Sequence, residues 1–437
     1  MDYSEAIQFL YDLQLFGMRL GLENVLRLAA LVGNPQAGLR FIHVAGTNGK
    51  GSTCAMLEGI YRAAGLRVGL FTSPHLVSFA ERMQVNRRLI GQSDVVQLVE
   101  GMRALLASGA FAGASPTFFE VVTVMALQYF ARQKCGLVIW ETGLGGRLDA
   151  TNIVTPLASV ITNIQLDHQE YLGQTLAEIA REKAGIIKPN VPVFTAAADP
   201  AALEVIAQTA RVRHAPLTVL AAGGSDARDF EVGLPGAHQK TNAGLALAVA
   251  RGLREAIPVP ESAIRAGLKE VQWAGRLQKV ERAGGQIILL DGAHNPAGAE
   301  SLAAALPDIL SPGGGAARPG PALVLGTMRD KDYAGICRIL APLAGKIFLS
   351  PTGSARSADP ALLAACCRQA NPRAEVILCE NATAALARAA GEKFIVVTGS
   401  LHFVGEAMEL LRLVPSSTER ALNDYHPSSP VLHSVAP

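Results

Sequence analysis

The sequence predicts an α/β protein in which a P-loop-type domain, built on a doubly wound and mainly parallel sheet, precedes a smaller Rossmann-like α/β domain. First, short apolar runs alternate with segments of helical periodicity, which is typical of a parallel sheet covered by helices on both faces. Second, each chemically rich stretch lies just after one of the apolar runs. Third, the whole pattern restarts near residue 285, which indicates a second domain.

The first block opens with helical periodicity over residues 5–32. Residues 40–45 (RFIHVA) then form an apolar run that stops at a glycine loop, and the next segment has helical periodicity up to Gly65, which fits a helix C-cap. Ligands of such sheets gather at the carboxyl ends of strands. Four further strands are predicted in this block, at LRVGLFTSPH, CGLVIWETGLGG, LASVITNIQLDH and VPVFTAA. A helix is predicted at TLAEIAREKAGII, before the last of these strands.

The second block repeats the order of strand, polar loop and helix from GQIILLDGAHNPAGAESLAAAL onward. The polar segment WAGRLQKVERAGG separates the blocks and is interpreted as a domain linker at 276–285. We therefore expect one domain over residues 1–280 and a second over 286–415. Residues 416–437 are rich in proline and serine and are predicted to be a disordered tail.

Composition narrows the class of protein. The chain has 437 residues, 49% hydrophobic and 17% charged, which favours two or three domains with buried cores over a disordered chain. A net charge of +2 argues against nucleic acid or an acidic membrane as partner. No apolar run suits a membrane span, and the N-terminus lacks the basic region of a signal peptide. Six scattered cysteines without a C-x-x-C pair favour reduced thiols in a cytoplasmic protein. The sequence has no heptad repeat, so it gives no sign of a coiled-coil oligomer.

The loop HVAGTNGKGST, residues 43–53, differs from the usual P-loop, G-x-x-x-x-G-K-[ST], at two positions. Val44 stands where the first glycine would be, and the hydroxyl of Ser52 comes one position late. The glycines at 46, 49 and 51 still let backbone N–H groups curl inward, and the following helix adds its positive N-terminal end. Lys50 supplies a mobile charge for β- and γ-phosphates. The loop therefore predicts nucleotide binding, with a glycine-rich structural turn as the alternative.

The spelling G-T-N-G-K-G-[ST] resembles the loop of the Mur ligase superfamily, and more specifically that of folylpolyglutamate synthases and dihydrofolate synthases. Further motifs of that family follow in family order over nearly the whole chain. They are TSPHL at 72–76, ERMQVN at 81–86, FFE at 118–120, ETGLGGRLDATN at 141–152, TNIQLDH at 162–168, EKAGIIKP at 182–189, HQKTNA at 238–243, GR at 275–276, DGAHNP at 291–296, MRDKD at 328–332 and GSLHFVGE at 399–406.

The resemblance implies an ATP-dependent ligase that joins L-glutamate to a reduced folate, to dihydropteroate or to both, through an acyl phosphate. The implied ATP contacts are Thr47, Asn48, Gly49, Lys50, Gly51, Ser52, Asn242, Arg276 and Asp291. In this scheme Asn242 reads the adenine, Arg276 touches a phosphate from the hinge and Asp291 holds the ribose. The family is mostly monomeric, and we expect the same here.

The resemblance also implies that Ser73, Glu120 and His168 hold one Mg²⁺. The family lysine matching Lys183 is often carbamylated, which would let it hold a second Mg²⁺ or orient phosphates. His294 would lie near the amino-acid substrate and act in catalysis with Lys50 and Lys183. Each has a plainer alternative: Glu120 could be a helix-capping acid, and Lys183 a surface lysine paired with Glu182 or Glu178.

The folate-binding stretch is the weakest match. The family usually has an acid there, as in D-L-G-L-x-R, whereas this chain has MRLGLENV, with Arg19 in place of the acid and Asn24 in place of the arginine. Arg19, Leu20 and Gly21 remain the candidate substrate-binding residues. Two other functions stay open: a Mur ligase acting on a UDP-linked sugar, and a nucleotide-dependent regulatory protein without ligase chemistry. Against the first, only about 45 residues precede the loop, below the roughly 100-residue mode of a domain.

Overall fold

The computed structural model describes residues 1–16, 21–111, 115–220, 227, 229–310, 320–417 and 419–424. Within them, two sheets lie one after the other along the chain, with eight strands in the first and six in the second. Both are mainly parallel and are covered by helices, so the predicted fold class is confirmed. Among the described residues, none of the helices combines the length and apolar character that a membrane span needs. All six cysteines are described and are free thiols.

The first sheet has the strand order β4-β3-β2-β5-β1-β6-β7-β8, in which β3 runs antiparallel to both β2 and β4. Its central strand β1 is buried along its full length and pairs in parallel with β5 and β6. The strands are β1 Phe41–Ala45, β2 Val68–Phe71, β3 Met83–Val85, β4 Arg88–Leu89, β5 Leu137–Glu141, β6 Ala158–Ile161, β7 Val193–Thr195 and β8 Leu217–Val219.

Ten α-helices accompany this sheet in the described residues. The sequence predicts one helical segment over residues 5–32, and this prediction is wrong in one respect: the structure has two separate α-helices there. The helices are α1 Tyr3–Asp12, α2 Glu23–Leu31, α3 Lys50–Ala63, α4 Gln92–Ala107, α5 Phe118–Arg132, α6 Gln169–Leu172, α7 Leu176–Ala184, α8 Pro200–Val212, α9 Ala237–Gly252 and α10 Glu261–Lys269.

The second sheet has the order β13-β12-β11-β14-β10-β9, with β9 antiparallel at the edge. Its strands are β9 Gln278–Glu281, β10 Ile287–Leu290, β11 Ala322–Leu325, β12 Lys346–Leu349, β13 Glu375–Leu378 and β14 Phe394–Thr398. Its helices are α11 Pro296–Leu310, α12 Tyr333–Leu340, α13 Pro360–Ala370, α14 Ala382–Ala389 and α15 Leu401–Leu410. Strand β9 lies inside the segment interpreted as a linker. That interpretation is therefore wrong for residues 278–281, which alternate in burial as an edge strand does.

Helix α3, which follows the glycine loop, is fixed deep in the first domain. It crosses α10 so closely that a Cβ built on Gly267 would lie 2.4 Å from the backbone nitrogen of Ile60. The reciprocal Cβ on Gly59 would lie 2.8 Å from the Gly267 carbonyl oxygen. The start of α3, and with it the glycine loop, is thereby held at the carboxyl end of β1.

Residues 419–423 form a 3-10 helix, so the prediction of disorder is wrong for the described part of the tail. Leu422 is 1% exposed and belongs to the apolar core of the first domain. We call residue 417 and residues 419–424 the C-terminal strap, because they contact both domains. Residues 425–437 lie outside the described residues.

Candidate active site

A cleft between the two domains is lined by the loops at the carboxyl ends of both sheets. Its charged lining contains six lysines and arginines but three carboxylates. The cations therefore outnumber the acids, which suits an anionic ligand. The cations are Lys50, Arg82, Lys183, Arg276, Lys331 and Arg356, and the acids are Glu141, Asp167 and Asp291.

The glycine loop enters the cleft directly after β1 and needs its glycines. A Cβ on Gly46, where φ is +145°, would lie 1.8 Å from the Thr162 hydroxyl oxygen. A Cβ on Gly49, where φ is +83°, would lie 2.5 Å from the Asn242 side-chain oxygen. Substituting either residue would combine a clash with an unfavourable backbone conformation.

The loop is held in place by the segment that follows β6. The Thr47 backbone N–H donates to the Asn163 carbonyl (2.9 Å), and the Asn48 N–H donates to the Asn163 side chain (2.8 Å). The Thr162 hydroxyl donates to the Asn48 carbonyl at 2.7 Å. Two of the predicted ATP contacts, Thr47 and Asn48, thus have their backbone N–H groups engaged within the protein, while both residues line the cleft.

The next four backbone N–H groups are different. Within the described chain, no acceptor is bound to the N–H of Gly49, Lys50, Gly51 or Ser52. They are the unpaired donors at the start of the 14-residue helix α3, and all four residues line the cleft. Such a set of aligned donors, at the positive end of a helix dipole, is an anion site.

Two lysines meet at the base of this loop. The Lys50 ammonium donates to the carbonyls of Gly46 (3.1 Å) and Thr47 (3.2 Å), and the Lys183 ammonium donates to the Gly46 carbonyl at 2.8 Å. Lys183 is 4% exposed. Burial, followed by the charge of Lys50, lowers the pKa of Lys183 to about 7.

The alternative of a surface lysine at 183 is therefore wrong. The two acids suggested as its partners have other roles. Glu182 binds Arg147 at 2.9 Å, and Glu178 caps the start of α7.

The structure does not place Glu120 among the residues lining the cleft. Its carboxylate accepts hydrogen bonds from the Thr117 backbone N–H (2.7 Å) and hydroxyl (2.9 Å), as the N3 residue of a capping box on α5. The structure thus shows Glu120 as a capping acid and does not place it in the cleft with Ser73 and His168, while its metal-binding role stays an untested prediction. The motif T-x-x-E at 117–120 was the local signal.

Glu141 is the acid that the sequence analysis missed. It ends β5, is 3% exposed, and accepts a hydrogen bond from the Ser73 backbone N–H at 3.1 Å. Burial raises the pKa of Glu141 to about 7, against the opposing charges of Lys50, Arg276 and Arg82. Its signal was available: an acid at the carboxyl end of a central parallel strand, just before a glycine loop.

Ser73 and Glu141 provide oxygen ligands of the kind that Mg²⁺ prefers. The Ser73 hydroxyl oxygen is buried and has no hydrogen-bond partner among the described residues, as expected of a ligand atom awaiting a cation. The described chain contains no cluster of three or more His, Cys, Asp or Glu side chains suited to a metal. A Mg²⁺ ion here would thus need waters or substrate oxygens, which this ion usually keeps.

His168 lines the same cleft but faces the second domain. Its Nε2 lies 3.2 Å from the Lys331 ammonium, and burial, followed by the Lys331 charge, lowers the pKa of His168 to about 3. The neutral ring nitrogen can thus accept a hydrogen bond or ligate a cation.

Asp167 is the centre of the contacts between the domains. The Lys331 ammonium donates to its carboxylate at 2.6 Å, the Asn295 amide donates at 3.0 Å, and the His294 Nε2 lies 3.6 Å away. Burial opposes its ionisation, but the contacts with His294, His168 and Lys331 hold the pKa of Asp167 well below its usual range. Asn48 and Asn295 add a reciprocal pair of amide hydrogen bonds at 3.1 Å.

The three later ATP candidates all line the cleft. Asn242 donates to Gln239 at 2.9 Å, which in turn donates to the Ser52 hydroxyl at 3.2 Å. Asp291 accepts from the backbone N–H groups of Leu277 (2.9 Å) and Ala293 (3.0 Å), so it organises the entry to the second domain. Arg276 lies so near Gly292 that a Cβ there would be 2.9 Å from its guanidinium.

Of the three candidate folate-binding residues, the structure describes one, Gly21. Arg19 and Leu20 lie outside the described residues. Gly21 is described but is not among the residues lining the cleft.

Comparison with known protein families agrees with this geometry. Residues 44–226 match the Mur ligase middle domain, and residues 275–401 match the Mur ligase glutamate ligase domain. The chain thus contains two Mur ligase domains, and the second match begins just before β9.

Individual relatives narrow this class. The dihydrofolate synthase/folylpolyglutamate synthase of Bacillus subtilis is 34% identical over 94% of this chain and 99% of its own length. The enzyme of the same name from Escherichia coli is 33% identical over 93% of this chain and 94% of its own length. The chain belongs to the family of folylpolyglutamate synthases and dihydrofolate synthases. It spans about half the length of some curated relatives, such as a probable bifunctional folylpolyglutamate synthase/dihydropteroate synthase of Haloferax volcanii, at 97% of this chain and 52% of the relative.

Solved structures show the same likeness. Folylpolyglutamate synthase from Thermotoga maritima has a TM-score of 0.80 and 34% identity, covering 96% of this chain and 98% of its own. That of Mycobacterium tuberculosis, complexed with ADP and AMPPCP, has a TM-score of 0.83 and 30% identity, covering 94% of this chain and 99% of its own.

Proposed function

We propose that this chain is an ATP-dependent ligase that adds L-glutamate to a reduced folate, to dihydropteroate or to both. The observation that carries the proposal is the row of four unpaired backbone N–H donors at residues 49–52. Together with the Lys50 side chain they line a cleft in which cations outnumber acids. We also propose a monomeric enzyme, because the family that the sequence resembles is mostly monomeric. The names of the relatives support the choice of substrates.

ATP binds with its phosphates against the glycine loop and Lys50. The free N–H groups at the start of α3 and the Lys50 ammonium neutralise charge as the γ-phosphoryl group is transferred. Asn242, Arg276 and Asp291 lie along the cleft wall beyond the loop and are proposed to complete the nucleotide site. The structure of the Escherichia coli relative with DHPP and ADP supports an adenine nucleotide as ligand.

Ser73, Glu141 and His168 are the residues proposed to hold Mg²⁺, with Glu141 replacing Glu120 in the set. When bound, the ion would act as a Lewis acid on phosphoryl oxygens. Lys183 is proposed to become a carbamate. A buried lysine whose pKa is about 7 is about half uncharged at neutral pH, and the neutral amine is the form that reacts with carbon dioxide. That modification would add an anion beside Lys50, which could hold a second ion or orient phosphates.

The reaction runs in two balanced steps. A carboxylate oxygen of the folate attacks the γ-phosphorus of ATP, the bond to the bridging oxygen breaks, and ADP leaves an acyl phosphate behind. The neutral amine of glutamate then attacks the acyl carbon, phosphate leaves, and the amine proton passes to solvent or to a cleft base. Lys331 and Arg356 supply positive charge for the two carboxylates of glutamate, and His294 lies beside the Asp167 cluster.

The test is ADP formation with dihydropteroate or tetrahydrofolate, each with and without glutamate. We expect ADP formation that requires both the acid and the amino acid. ADP formation with a UDP-linked sugar acid instead would identify a cell-wall type of Mur ligase. Nucleotide binding without any turnover would identify a regulatory protein.

Lys50→Ala is expected to abolish ligation, since it removes the charge beside the transferred phosphoryl group. Steady-state ADP formation measures this effect, and unfolding by circular dichroism shows whether the variant is folded. Glutamate-dependent phosphate release at the wild-type rate in this variant would refute the role of the loop.

A further inference from the structure

The C-terminal strap lies beyond the part of the chain that matches the glutamate ligase domain, which ends at residue 401. It is attached to both domains. On the second domain, the Ser417 backbone N–H and the Arg420 guanidinium bind Glu409, and the Ser354 hydroxyl binds Asp424. The strap therefore begins and ends on the second domain while its middle lies on the first.

On the first domain, the strap is held by Glu419 and Leu422. The Glu419 carboxylate accepts hydrogen bonds from the Phe79 backbone N–H (2.6 Å), the Ser78 hydroxyl (3.0 Å) and the Tyr3 hydroxyl (3.2 Å). Leu422 is 1% exposed in the first-domain core. The hydrogen-bonded carboxylate of Glu419 and the buried Leu422 indicate that the strap is packed against the first domain.

The strap reaches the cleft through Asn423, which lines it. The Asn423 side-chain oxygen accepts from the Arg82 guanidinium at 2.7 Å, and its amide donates to the His75 carbonyl at 2.9 Å. Arg82 also donates through Nε to His75 Nδ1 at 2.9 Å, and His75 Nε2 donates to the Glu419 carbonyl at 2.9 Å. The orientation of Arg82 is thus set by the strap twice, directly and through His75.

The protonation state of His75 agrees with this chain of donors. One ring nitrogen accepts from Arg82 and the other donates to the strap, which is the pattern of a neutral imidazole. A rotated or charged imidazole could not satisfy both partners.

Arg82 presents a positive charge to the cleft. It is 3% exposed and is one of the residues that line the cleft. Its guanidinium also lies over the Phe118 ring, 5.3 Å from the centroid. A planar guanidinium fixed in this way can bind a carboxylate with two parallel hydrogen bonds.

We propose that the C-terminal strap is part of the active site and that Asn423 is a positioning residue, which holds Arg82 ready for the carboxylate of the acid substrate. This inference rests on the proposed ligase function. Because the strap is also anchored on the second domain at Glu409 and Ser354, it links the position of Arg82 to the arrangement of the two domains. Because the Arg82 side chain is already ordered, less conformational entropy is lost when the substrate binds.

The first test compares two shortened chains. One ends at Pro415 and lacks the strap; its matched control ends at Asp424 and keeps it. We expect the KM for the acid substrate to rise at least tenfold in the first chain, with the KM for ATP changed less than twofold, and the control to match the full chain. Equal KM values for the acid substrate in both shortened chains would overturn the proposal.

The second test isolates Asn423. Asn423→Ala is expected to raise the KM for the acid substrate about tenfold, since one charge-assisted hydrogen bond is lost. In an Arg82→Ala background the same change should alter that KM less than twofold. Equal effects in both backgrounds would show that Asn423 does not act through Arg82 and would overturn the proposal. If the full chain and the Asp424 control both form no ADP with any acid, the proposed function itself fails, and this inference with it.

Discussion

The start of α5 and the end of β5 each carry a buried glutamate, and the two have different environments. Glu120 and Glu141 are both 3% exposed. The carboxylate of Glu120 is used by the hydroxyl and backbone N–H of Thr117, in its own helix turn. Glu141 instead projects into a cleft beside Lys50 and Ser73, and burial raises its pKa to about 7. Burial alone therefore does not distinguish the two glutamates. Their hydrogen-bond partners and charged neighbours do, and these make Glu141 the candidate for the active site.

The largest expected difference between the two regions is in turnover. Glu141→Gln should lower kcat for glutamate-dependent ADP formation roughly 100- to 1000-fold, because a charged oxygen ligand beside the transferred phosphoryl group is lost. Glu120→Gln is the matched control. It should keep activity within about twofold, because glutamine also completes a capping box. Equal losses in both variants would break the comparison.

The next difference is in stability as a function of pH, measured by denaturant unfolding in EDTA. The folded protein binds a proton on Glu141 up to about pH 7, while an ordinary glutamate releases it near 4.5, so this site destabilises the fold increasingly as pH rises between those values. Removing the charge with Glu141→Gln should therefore raise the free energy of unfolding by about 3 kcal/mol at pH 8 and by less than about 1 kcal/mol at pH 5.

Addition of Mg²⁺ sharpens this measurement. The ion should raise the unfolding midpoint of the wild-type chain at pH 8, since it binds the folded state, and should leave Glu141→Gln nearly unchanged. A wild-type midpoint that does not respond to Mg²⁺, or an equal response in both proteins, would contradict the assignment of Glu141 as a ligand.

The smallest expected effect is at the helix start. Glu120→Ala leaves the buried Thr117 N–H without its acceptor, which should lower the free energy of unfolding by about 1–3 kcal/mol. Ligation by the remaining folded protein should stay near the wild-type rate. A folded Glu120→Ala variant that has lost ligation would return Glu120 to the active site.

These two acids also show how far sequence reasoning reaches. The glycine loop, Lys50 and the strand before it could be predicted because their signal is local in the chain. Glu120 was assigned from a motif whose neighbours in space were unknown, although T-x-x-E at 117–120 indicated a cap. Glu141 had a signal of its own, because it ends a strand just before a glycine loop, and the fold shows that it accepts a hydrogen bond from the Ser73 backbone N–H.

Other parts of the site depend on contacts between distant residues. Lys331 meets Asp167 across 164 positions, and Asn295 meets Asn48 across 247. Neither pair has a local pattern, although the motifs around Lys331 and Asn295 were visible. The strap is a similar case, because the composition of residues 416–437 favours disorder, while Glu419 binds Phe79, 340 positions away, and Leu422 is buried in the core of the first domain.

The central claim is that ATP activates a carboxylate as an acyl phosphate, and transfer of an isotope tests it most directly. The acid substrate is labelled with ¹⁸O in the reacting carboxylate, and the inorganic phosphate released during glutamate-dependent turnover is analysed by mass spectrometry. The two-step reaction predicts one ¹⁸O atom in each phosphate, because the carboxylate oxygen that attacks phosphorus leaves with it. Phosphate that carries no label, released together with ligated product, would contradict the account.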